Sequence, residues 1–251
     1  MPSGYVALLD VLGFSALVTA DSTNKEVERY SRCLQEVLKS TEVKYVVFSD
    51  SIVLTIEGDG PDSLIKIAQA CSQLMHRLLV ENIPIRGAIS QGKFVRSVIS
   101  ESVFVAGNAI LDAYYFEQAQ NWVGIMISPK VLKCIPDIGT RCHFHDEADT
   151  KAGESQFNEW TAFIQPNHGI PFHTKNSEEP SNFDGFAIVP TLGFITLESI
   201  HDNIEVAINQ LISLKSIAPN PSSQQKYQKT IDWLRLVLPI WQNRTIRITH
   251  I

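Results

Sequence analysis

The sequence predicts an α+β protein whose first half forms a ferredoxin-like core. Two observations predict this fold class. Apolar runs of strand length lie at residues 5–9 and on both sides of Asp50, and a segment of helical periodicity lies before and after the pair of runs around Asp50. The order is therefore strand, helix, two strands, helix, strand. In a βαββαβ core, helices cover one face of an antiparallel sheet, and the first strand lies beside the central hairpin.

Ordinary start and stop signals bound these elements. Thr23 and Glu26 fit a capping box ahead of apolar residues at helical spacing, which predicts that the first helix starts there. Glycines and a proline at residues 58–61 end the hairpin. The predicted elements after the first strand are a helix from residue 23, strands at 43–49 and 51–57, a helix with its apolar face from Leu64 to Leu79, and a strand that begins at Pro84.

Beyond this core, the sequence predicts extra strands and C-terminal helices. Residues 135–181 are rich in polar residues, glycine and proline, and we expect mostly loops there, with one strand at 160–165. We divide the chain into a core at 1–134 and an extension at 135–251 that completes the sheet, and expect one compact domain. The predicted additions are a hairpin at 93–98 and 102–105, strands at 122–128 and 186–190, and helices at 107–120, 202–218 (capped by Asp202) and 224–238.

Two aspartates stand at the ends of buried strands. Asp10 follows the apolar run from Tyr5, and Asp50 separates the two apolar runs of the hairpin. A lone carboxylate in such surroundings is strongly disfavoured unless it is paired, protonated or bound to a cation, and Mg²⁺ or Mn²⁺ suits carboxylate and backbone oxygens. The alternative is that each Asp only caps a helix or turns a hairpin. The presence of both, one followed by Gly13-Phe14-Ser15, favours the metal site.

Four short elements around these residues resemble the motifs of class III nucleotide cyclases. They occur in the order of that family, over residues 5 to about 128. Within the superfamily, the chain most resembles the bacterial pyrimidine cyclases of Pycsar antiphage defence, which make cyclic UMP or cyclic CMP. The four elements are Asp10-Val-Leu-Gly13-Phe14-Ser15, Phe48-Ser49-Asp50-Ser51 with Ser in place of the usual Gly, Arg86-Gly-Ala-Ile89-Ser-Gln-Gly92, and Gly107-Asn-Ala-Ile-Leu-Asp-Ala113.

The resemblance implies a homodimeric uridylate cyclase that converts UTP to 3′,5′-cyclic UMP and pyrophosphate, as a messenger that activates a separate antiphage effector protein. It implies two Mn²⁺ or Mg²⁺ ions bridged by Asp10 and Asp50, with the carbonyl of Val11 as a further ligand. Backbone N–H groups around Gly13, Phe14 and Ser15 are expected to receive the triphosphate. The alternatives are cyclic CMP synthesis from CTP, a catalytically inactive cyclase-like dimer that binds a nucleotide, and a metal-dependent phosphohydrolase that uses the same carboxylates.

The chain departs from the family pattern at two positions of the helix that follows Gly107. Many class III cyclases carry an Asn and an Arg there, which steady the ribose and the developing phosphate charge, whereas this chain has Leu111 and Tyr115. Leucine cannot donate a hydrogen bond, and tyrosine carries no cation at neutral pH. Arg86, Lys93 or Arg96 could supply the missing donor. We choose Arg96 as the catalytic candidate because it lies on the hairpin just before that helix.

The expected base-binding residues favour a pyrimidine. Purine cyclases carry polar residues at the positions of Val46 and, approximately, Phe104, and neither of these side chains can hydrogen-bond a purine edge. Tyr45, Lys44 or Arg96 could instead close the site around a smaller base. Strand alternation directs Tyr45 away from Val46 unless the hairpin is bulged.

Composition excludes other classes of function. The formal net charge of −6 and the lack of a basic stripe argue against nucleic-acid binding. The sequence shows no signal peptide or apolar membrane-spanning segment, and its four cysteines fit a reduced, cytoplasmic protein without membrane association. Zinc-compatible residues between Cys134 and His173 lack paired ligand spacing, so ordinary loop polarity is the favoured interpretation.

Overall fold

A computed structural model describes residues 1–20, 23–141, 163–172, 181–191 and 197–239. The strands of these segments are β1 (Ser3–Val11), β2 (Lys44–Phe48), β3 (Ser51–Glu57), β4 (Ile85–Ile99), β5 (Ser102–Gly107), β6 (Ile125–Ile127), β7 (Ile164–Phe172) and β8 (Ser181–Ile188). The helices are α1 (Phe14–Ala20), α2 (Lys25–Leu38), α3 (Pro61–Val80), α4 (Asn108–Ala119), α5 (Pro129–Cys134), α6 (Ile138–Arg141), α7 (Leu197–Ile217) and α8 (Pro221–Val237).

The described strands form one eight-stranded sheet in the order β2-β3-β1-β4-β6-β8-β7, with β5 paired to β4 as a hairpin. Its first four strands are antiparallel and have the order of a ferredoxin-like sheet, so the predicted α+β fold class is confirmed. Strand β6 runs parallel to β4, and β8 and β7 extend the sheet as an antiparallel pair. The division of the chain at residue 134 stays a prediction.

The alternation of side chains along β1 places apolar residues on both faces of the sheet. Tyr5, Ala7 and Leu9 belong to the main core, which the sheet forms with α2, α3 and the C-terminal helices. Val6 points the other way and packs against β4 and α4. Asp10 has the same parity as Val6, so it lies on the face that carries α4.

The C-terminal helices are tied to the sheet through α8. The hydroxyl of Thr230 donates to the carbonyl of Val123 at 2.6 Å and accepts from the backbone N–H of Val123 at 3.1 Å. Next to this pair, the rings of Trp122 and Trp233 meet edge-on with centroids 5.4 Å apart. Helix α7 packs between α8 and α3. Among the described helices, none is long and apolar enough to cross a membrane.

Several predicted element boundaries are wrong. Helix α2 begins at Lys25, two residues after Thr23, and follows Asn24, which has a left-handed backbone and makes no side-chain cap hydrogen bond. Helix α7 begins at Leu197, which places Asp202 inside the helix and not at its cap. Strand β7 occupies part of the stretch that was expected to be mostly loop. The predicted strand residues 160–162 lie outside the described residues.

His76 is a polar residue buried in the core. His76 on α3 is only 4% exposed, and within the described part of the chain neither of its ring nitrogens has a hydrogen-bond partner. Burial, assisted by the charge of Arg77, lowers the pKa of His76 to about 4. The folded protein therefore holds this imidazole in its neutral form.

We predict that His76 makes the protein sensitive to acid. Because its pKa is lower in the folded state than the ordinary 6.5, stability is fully present above pH ~6.5 and is lost as the pH falls toward 4. Between pH 7.5 and 5, the free energy of unfolding of His76→Leu should therefore fall by about 2 kcal/mol less than that of the wild type, as measured by urea unfolding. Identical pH dependence in His76→Leu and the wild type would contradict the assignment.

Candidate metal and nucleotide site

The sheet brings Asp10 and Asp50 together although they are far apart in the sequence. Asp10 is the penultimate residue of β1 and is paired with Ser51 on β3, the residue that follows Asp50. The backbone N–H of Val11 donates to the carbonyl of Asp50 at 3.0 Å, which joins the end of β1 to the hairpin turn. The two predicted metal-binding carboxylates and the Val11 carbonyl thus belong to one edge of the sheet.

The charge of Asp10 is disfavoured at this edge. Burial is the main cause that raises the pKa of Asp10 to about 6, and the negative charges of Glu117 and Asp50 raise it further. The positive charge of Arg86, its cross-strand neighbour, acts in the opposite direction without cancelling these effects. A cation bound between the carboxylates would relieve this excess of negative charge.

Arg86 is already engaged in a buried ion pair. Its Nε donates to Oε1 of Glu117 at 2.7 Å, and its Nη1 donates to the carbonyl of Gln120 at 3.0 Å. Glu117 is 1% exposed and also accepts a hydrogen bond from Gln118 at 2.6 Å. This pair fixes α4 on β4 beside Asp10. Arg86 therefore has a structural partner, which weakens the alternative that it supplies the missing donor to substrate.

The segment after β1 leaves open space at Gly13. Gly13 has a φ of +79°, a left-handed conformation that glycine adopts without strain, and no other atom lies within 4 Å of where its Cβ would stand. Phe14 and Ser15 begin α1, a helix of only seven residues. The ring of Phe14 packs edge-on against Tyr30 with centroids 5.6 Å apart. The predicted triphosphate-binding residues thus begin two residues after Val11, a predicted metal ligand, and the position of Gly13 has room for a ligand.

The turn that presents Asp50 contains backbone strain. Ser49 and Asp50 form a two-residue connection between β2 and β3, and only Ser49 has a positive φ, at 57°. A positive φ at the first central position is characteristic of a type II′ turn, which favours glycine. Ser49 is therefore strained at the position where the cyclase motif usually has Gly.

A hard divalent ion suits the donors at this edge. Asp10 and Asp50 offer carboxylate oxygens, Val11 offers a carbonyl directly after Asp10, and open space lies at Gly13, three residues after Asp10 along the chain. On α2, the hydroxyl of Tyr30 is buried without a hydrogen-bond partner among the described residues, and both carboxylates contribute to the raised pKa of Tyr30. The residues present thus fit the implied metal, with Asp10 and Asp50 as its holders.

The two predicted base-binding residues lie on opposite faces of the sheet. Val46 pairs with Val53, which pairs with Leu8, so Val46 is on the face of Asp10. No bulge interrupts the pairing of β2 with β3, and Tyr45 therefore points to the opposite face, which carries α2 and α3. There it lines a cleft of about 420 Å³ together with Phe14 and Tyr30. The structure does not bring Tyr45 and Val46 together.

Arg96 is distant from the carboxylates of its own chain. It lies about ten residues beyond Arg86 along β4, or roughly 30 Å of extended strand. At this far end of the sheet it lines a cleft of about 470 Å³ with Lys44, Thr55 and Phe94. Its Nε is buried and has no hydrogen-bond partner in the described residues. Within one chain, the structure does not bring the predicted catalytic Arg96 to Asp10 and Asp50.

Two residues that sequence reasoning missed lie at the carboxylate edge. Glu117 had a signal, because it continues the buried helical stripe of Ala109 and Ala113, and an acid on such a stripe requires a buried partner. Tyr30 belongs to the residues at helical spacing that follow the signal at Thr23, and this spacing indicates only that it faces the core. The unpartnered state of its hydroxyl had no signal in the sequence.

Another acidic group of the described residues lies elsewhere. His201, Asp202 and Glu205 have ligand atoms within 4.8 Å of one another, the only group of three or more His, Cys, Asp or Glu side chains found in the described segments. Asp202 and Glu205 are exposed on α7, and exposed acids commonly cluster without a metal. Of the zinc-compatible residues predicted to be loop, Cys142, His143, His145, Asp146 and His173 lie outside the described residues.

Comparison with known proteins finds similarity only at the level of structure. No protein-family model and no curated protein sequence matches the chain. Similar solved structures include the dimeric guanylyl cyclase domain of a RhoGC fusion protein from the aquatic fungus Blastocladiella emersonii, at 17% identity and a TM-score of 0.46 over 55% of this chain and 85% of that one. The adenylyl cyclase CyaB from P. aeruginosa matches at 14% identity and a TM-score of 0.47, over 75% of this chain and 94% of that one.

An adenylate cyclase of Trypanosoma brucei, solved in its monomeric state, matches at 11% identity and a TM-score of 0.48, over 77% of this chain and 93% of that one. All three structures are thus of nucleotide cyclases. At these identities and TM-scores, the likenesses decide neither the activity of this chain nor the nucleotide it uses.

We predict that Ser49→Gly stabilises the protein. Glycine adopts the left-handed conformation of this turn without the steric cost of a Cβ, so the free energy of unfolding should rise by up to about 1 kcal/mol. Ser51→Gly is the matched control: it places glycine in strand β3 and should lower the free energy of unfolding by about 0.5–1 kcal/mol. Urea unfolding measures both. A loss of stability in Ser49→Gly as large as that in Ser51→Gly would contradict the strain.

Proposed function

We propose that this protein is a metal-dependent nucleotide cyclase that converts UTP to 3′,5′-cyclic UMP and pyrophosphate. The observation that carries the proposal is the meeting of Asp10 and Asp50 at one edge of the sheet, where burial and neighbouring acids disfavour the charge of Asp10. Two carboxylates arranged in this way can share divalent ions, and the space beside Gly13 can admit phosphates. The motif resemblance supplies the reaction type.

In this reaction the ribose 3′-oxygen forms a bond to the α-phosphorus, and the bond from that phosphorus to the bridging oxygen of the β-phosphate breaks. The 3′-hydroxyl loses its proton, and pyrophosphate leaves. Bound Mn²⁺ or Mg²⁺ ions would lower the pKa of that hydroxyl and neutralise the leaving group. Asp10, Asp50 and the Val11 carbonyl hold the ions. The backbone from Gly13 to Ser15 positions the triphosphate, and its approach is unhindered because Gly13 has no side chain.

The protein acts as a homodimer in this proposal. Large apolar side chains are exposed on α4 and on the hairpin of β4 and β5, and a second copy would cover them. The dimer also explains how Arg96 can reach a site although it is far from the carboxylates of its own chain. A two-fold axis can place the far end of one sheet against the carboxylate end of the other. Arg96 then stabilises phosphate charge on the partner's site. The exposed apolar residues are Val98, Ile99, Val103, Phe104, Leu111, Tyr114 and Tyr115.

A pyrimidine base is favoured by the apolar character of two positions. Val46, on the same face as Asp10, cannot hydrogen-bond a purine edge, and Phe104 is an exposed aromatic residue of β5. CTP is the nearest alternative, because it differs from UTP at one exocyclic group and the adjoining ring nitrogen. The messenger role in antiphage defence, with a separate effector protein, rests on the sequence resemblance.

A second candidate is a catalytically inactive dimer that binds a nucleotide as a sensor. The observation that favours it is the exposure of Leu111 and Tyr115, at 56% and 54%, where many cyclases carry the Asn and Arg that assist the reaction. A phosphohydrolase that uses the same carboxylates is a third. The products formed from nucleotides distinguish these candidates, since a sensor releases none and a hydrolase releases no cyclic nucleotide.

We predict that a mixture of the four ribonucleoside triphosphates with Mn²⁺ yields cyclic UMP and pyrophosphate, identified by mass. UTP should exceed ATP and GTP by at least roughly a hundredfold in kcat/KM, the discrimination that about 2.7 kcal/mol provides. Asp10→Ala and Asp50→Ala should remain folded dimers without activity. Comparable conversion of ATP or GTP would refute the pyrimidine assignment, and near-normal turnover by either Asp variant would refute the metal site.

The dimer generates a separate prediction. Asp10→Ala and Arg96→Ala chains should each be inactive alone, because each lacks one half of every composite site. Their equimolar mixture should regain about a quarter of wild-type activity, since half of randomly mixed dimers carry one intact site of two. Lys93→Ala on the same strand is the control and should stay active by itself, because Arg96 and not Lys93 supplies the donor in this proposal. An active monomer by light scattering would contradict the shared site, and absent complementation would contradict the role of Arg96.

A further inference from the structure

The hydroxyl of Tyr30 is a buried polar group that packing alone does not explain. Tyr30 is 4% exposed on the core face of α2, and among the described residues its hydroxyl has no hydrogen-bond partner. A buried donor without an acceptor is costly, so a phenylalanine would fill the same space at lower cost. The hydroxyl therefore needs an acceptor in the working protein.

The surroundings of Tyr30 connect it to both aspartates. Its ring packs edge-on against Phe14, which begins the helix after Asp10 and Gly13. It shares the wall of one cleft with Ser49, the residue directly before Asp50. After burial itself, the charges of Asp50 and then Asp10 are the causes that raise the pKa of Tyr30, so the two carboxylates are its electrostatic neighbours.

We propose that Tyr30 is a positioning residue for the metal site, whose hydroxyl donates a hydrogen bond to the carboxylate of Asp50 when an ion is bound. This inference rests on the proposed metal-dependent function and adds a residue to it. Asp50 lies in a two-residue turn whose first residue, Ser49, is strained, and a hydrogen bond from Tyr30 would hold its carboxylate in one orientation. Residues that orient metal ligands in this way commonly change metal affinity by 10- to 100-fold.

The chain provides a matched control in Tyr5. Its side chain is fully buried in β1, and its hydroxyl donates to the carbonyl of Asp59 at 2.8 Å, away from the carboxylate edge. Tyr5→Phe removes a satisfied hydroxyl, whereas Tyr30→Phe removes an unsatisfied one. The two substitutions are chemically identical and differ only in what the lost hydroxyl contacts.

The test measures Mn²⁺ binding to the full chain by the electron paramagnetic resonance signal of free Mn²⁺, together with urea unfolding in the absence of metal. Tyr30→Phe should raise the Mn²⁺ dissociation constant about tenfold without lowering the urea midpoint. Tyr5→Phe should lower the urea midpoint and leave the dissociation constant within twofold of wild type. Asp50→Ala should abolish binding at the site and so identifies it.

These measurements separate the role of Tyr30 from the existence of the metal site. If wild type binds Mn²⁺ through Asp50 and Tyr30→Phe stays within twofold of it, the role of Tyr30 is overturned and the metal site stands. A lowered urea midpoint with unchanged Mn²⁺ affinity would show a purely structural tyrosine and overturns the role as well. If wild type shows no binding that depends on Asp50, the metal site is wrong and the role of Tyr30 falls with it.

Discussion

The buried ion pair of Arg86 and Glu117 is the interaction on which the carboxylate edge depends. It joins α4 to β4 and places one positive and one negative charge next to Asp10. Removing Arg86 would leave Glu117 unpaired inside the protein, a change that typically costs several kcal/mol. It would also withdraw the only cation among the charges that shift the pKa of Asp10 in the described residues. The pair therefore serves the fold and the electrostatics of the site at once.

The register of the central strands is the second constraint. Because side chains alternate along a strand, a slip of β1 by one residue would turn Asp10 toward the apolar core and Leu9 toward the site. The register is held by the apolar side of β1, which is fully buried against α2 and α3, and by the bond from the N–H of Val11 to Asp50. The core that stabilises the sheet thus also fixes which residue of β1 lies at the carboxylate edge on the α4 face.

The sequence was sufficient for the fold class and for the pairing of Asp10 with the hairpin, because both follow from strand order and apolar periodicity. It was insufficient where long-range packing decides. The N-terminal turn of α7 precedes the expected cap at Asp202. The opposite faces of Tyr45 and Val46 follow from strand alternation, but the absence of a bulge was visible only in the register. The unsatisfied hydroxyl of Tyr30 depends on three-dimensional neighbours that no local pattern encodes.

Helix α4 shows which part of the cyclase-like motif the fold itself requires. At Gly107 a Cβ would come within 2.4 Å of the carbonyl of Lys93, so close packing against β4 already explains this glycine. The buried stripe of the helix ends in Glu117, whereas Leu111 and Tyr115 project from its exposed side. Since these two side chains point away from their own sheet, replacing the usual Asn and Arg leaves the carboxylate edge of the same chain untouched. What changes is the exposed surface of α4. In the proposed dimer this surface faces a second copy, and Arg96, whose Nε is buried without a hydrogen-bond partner among the described residues, is the cation proposed to replace the usual Arg.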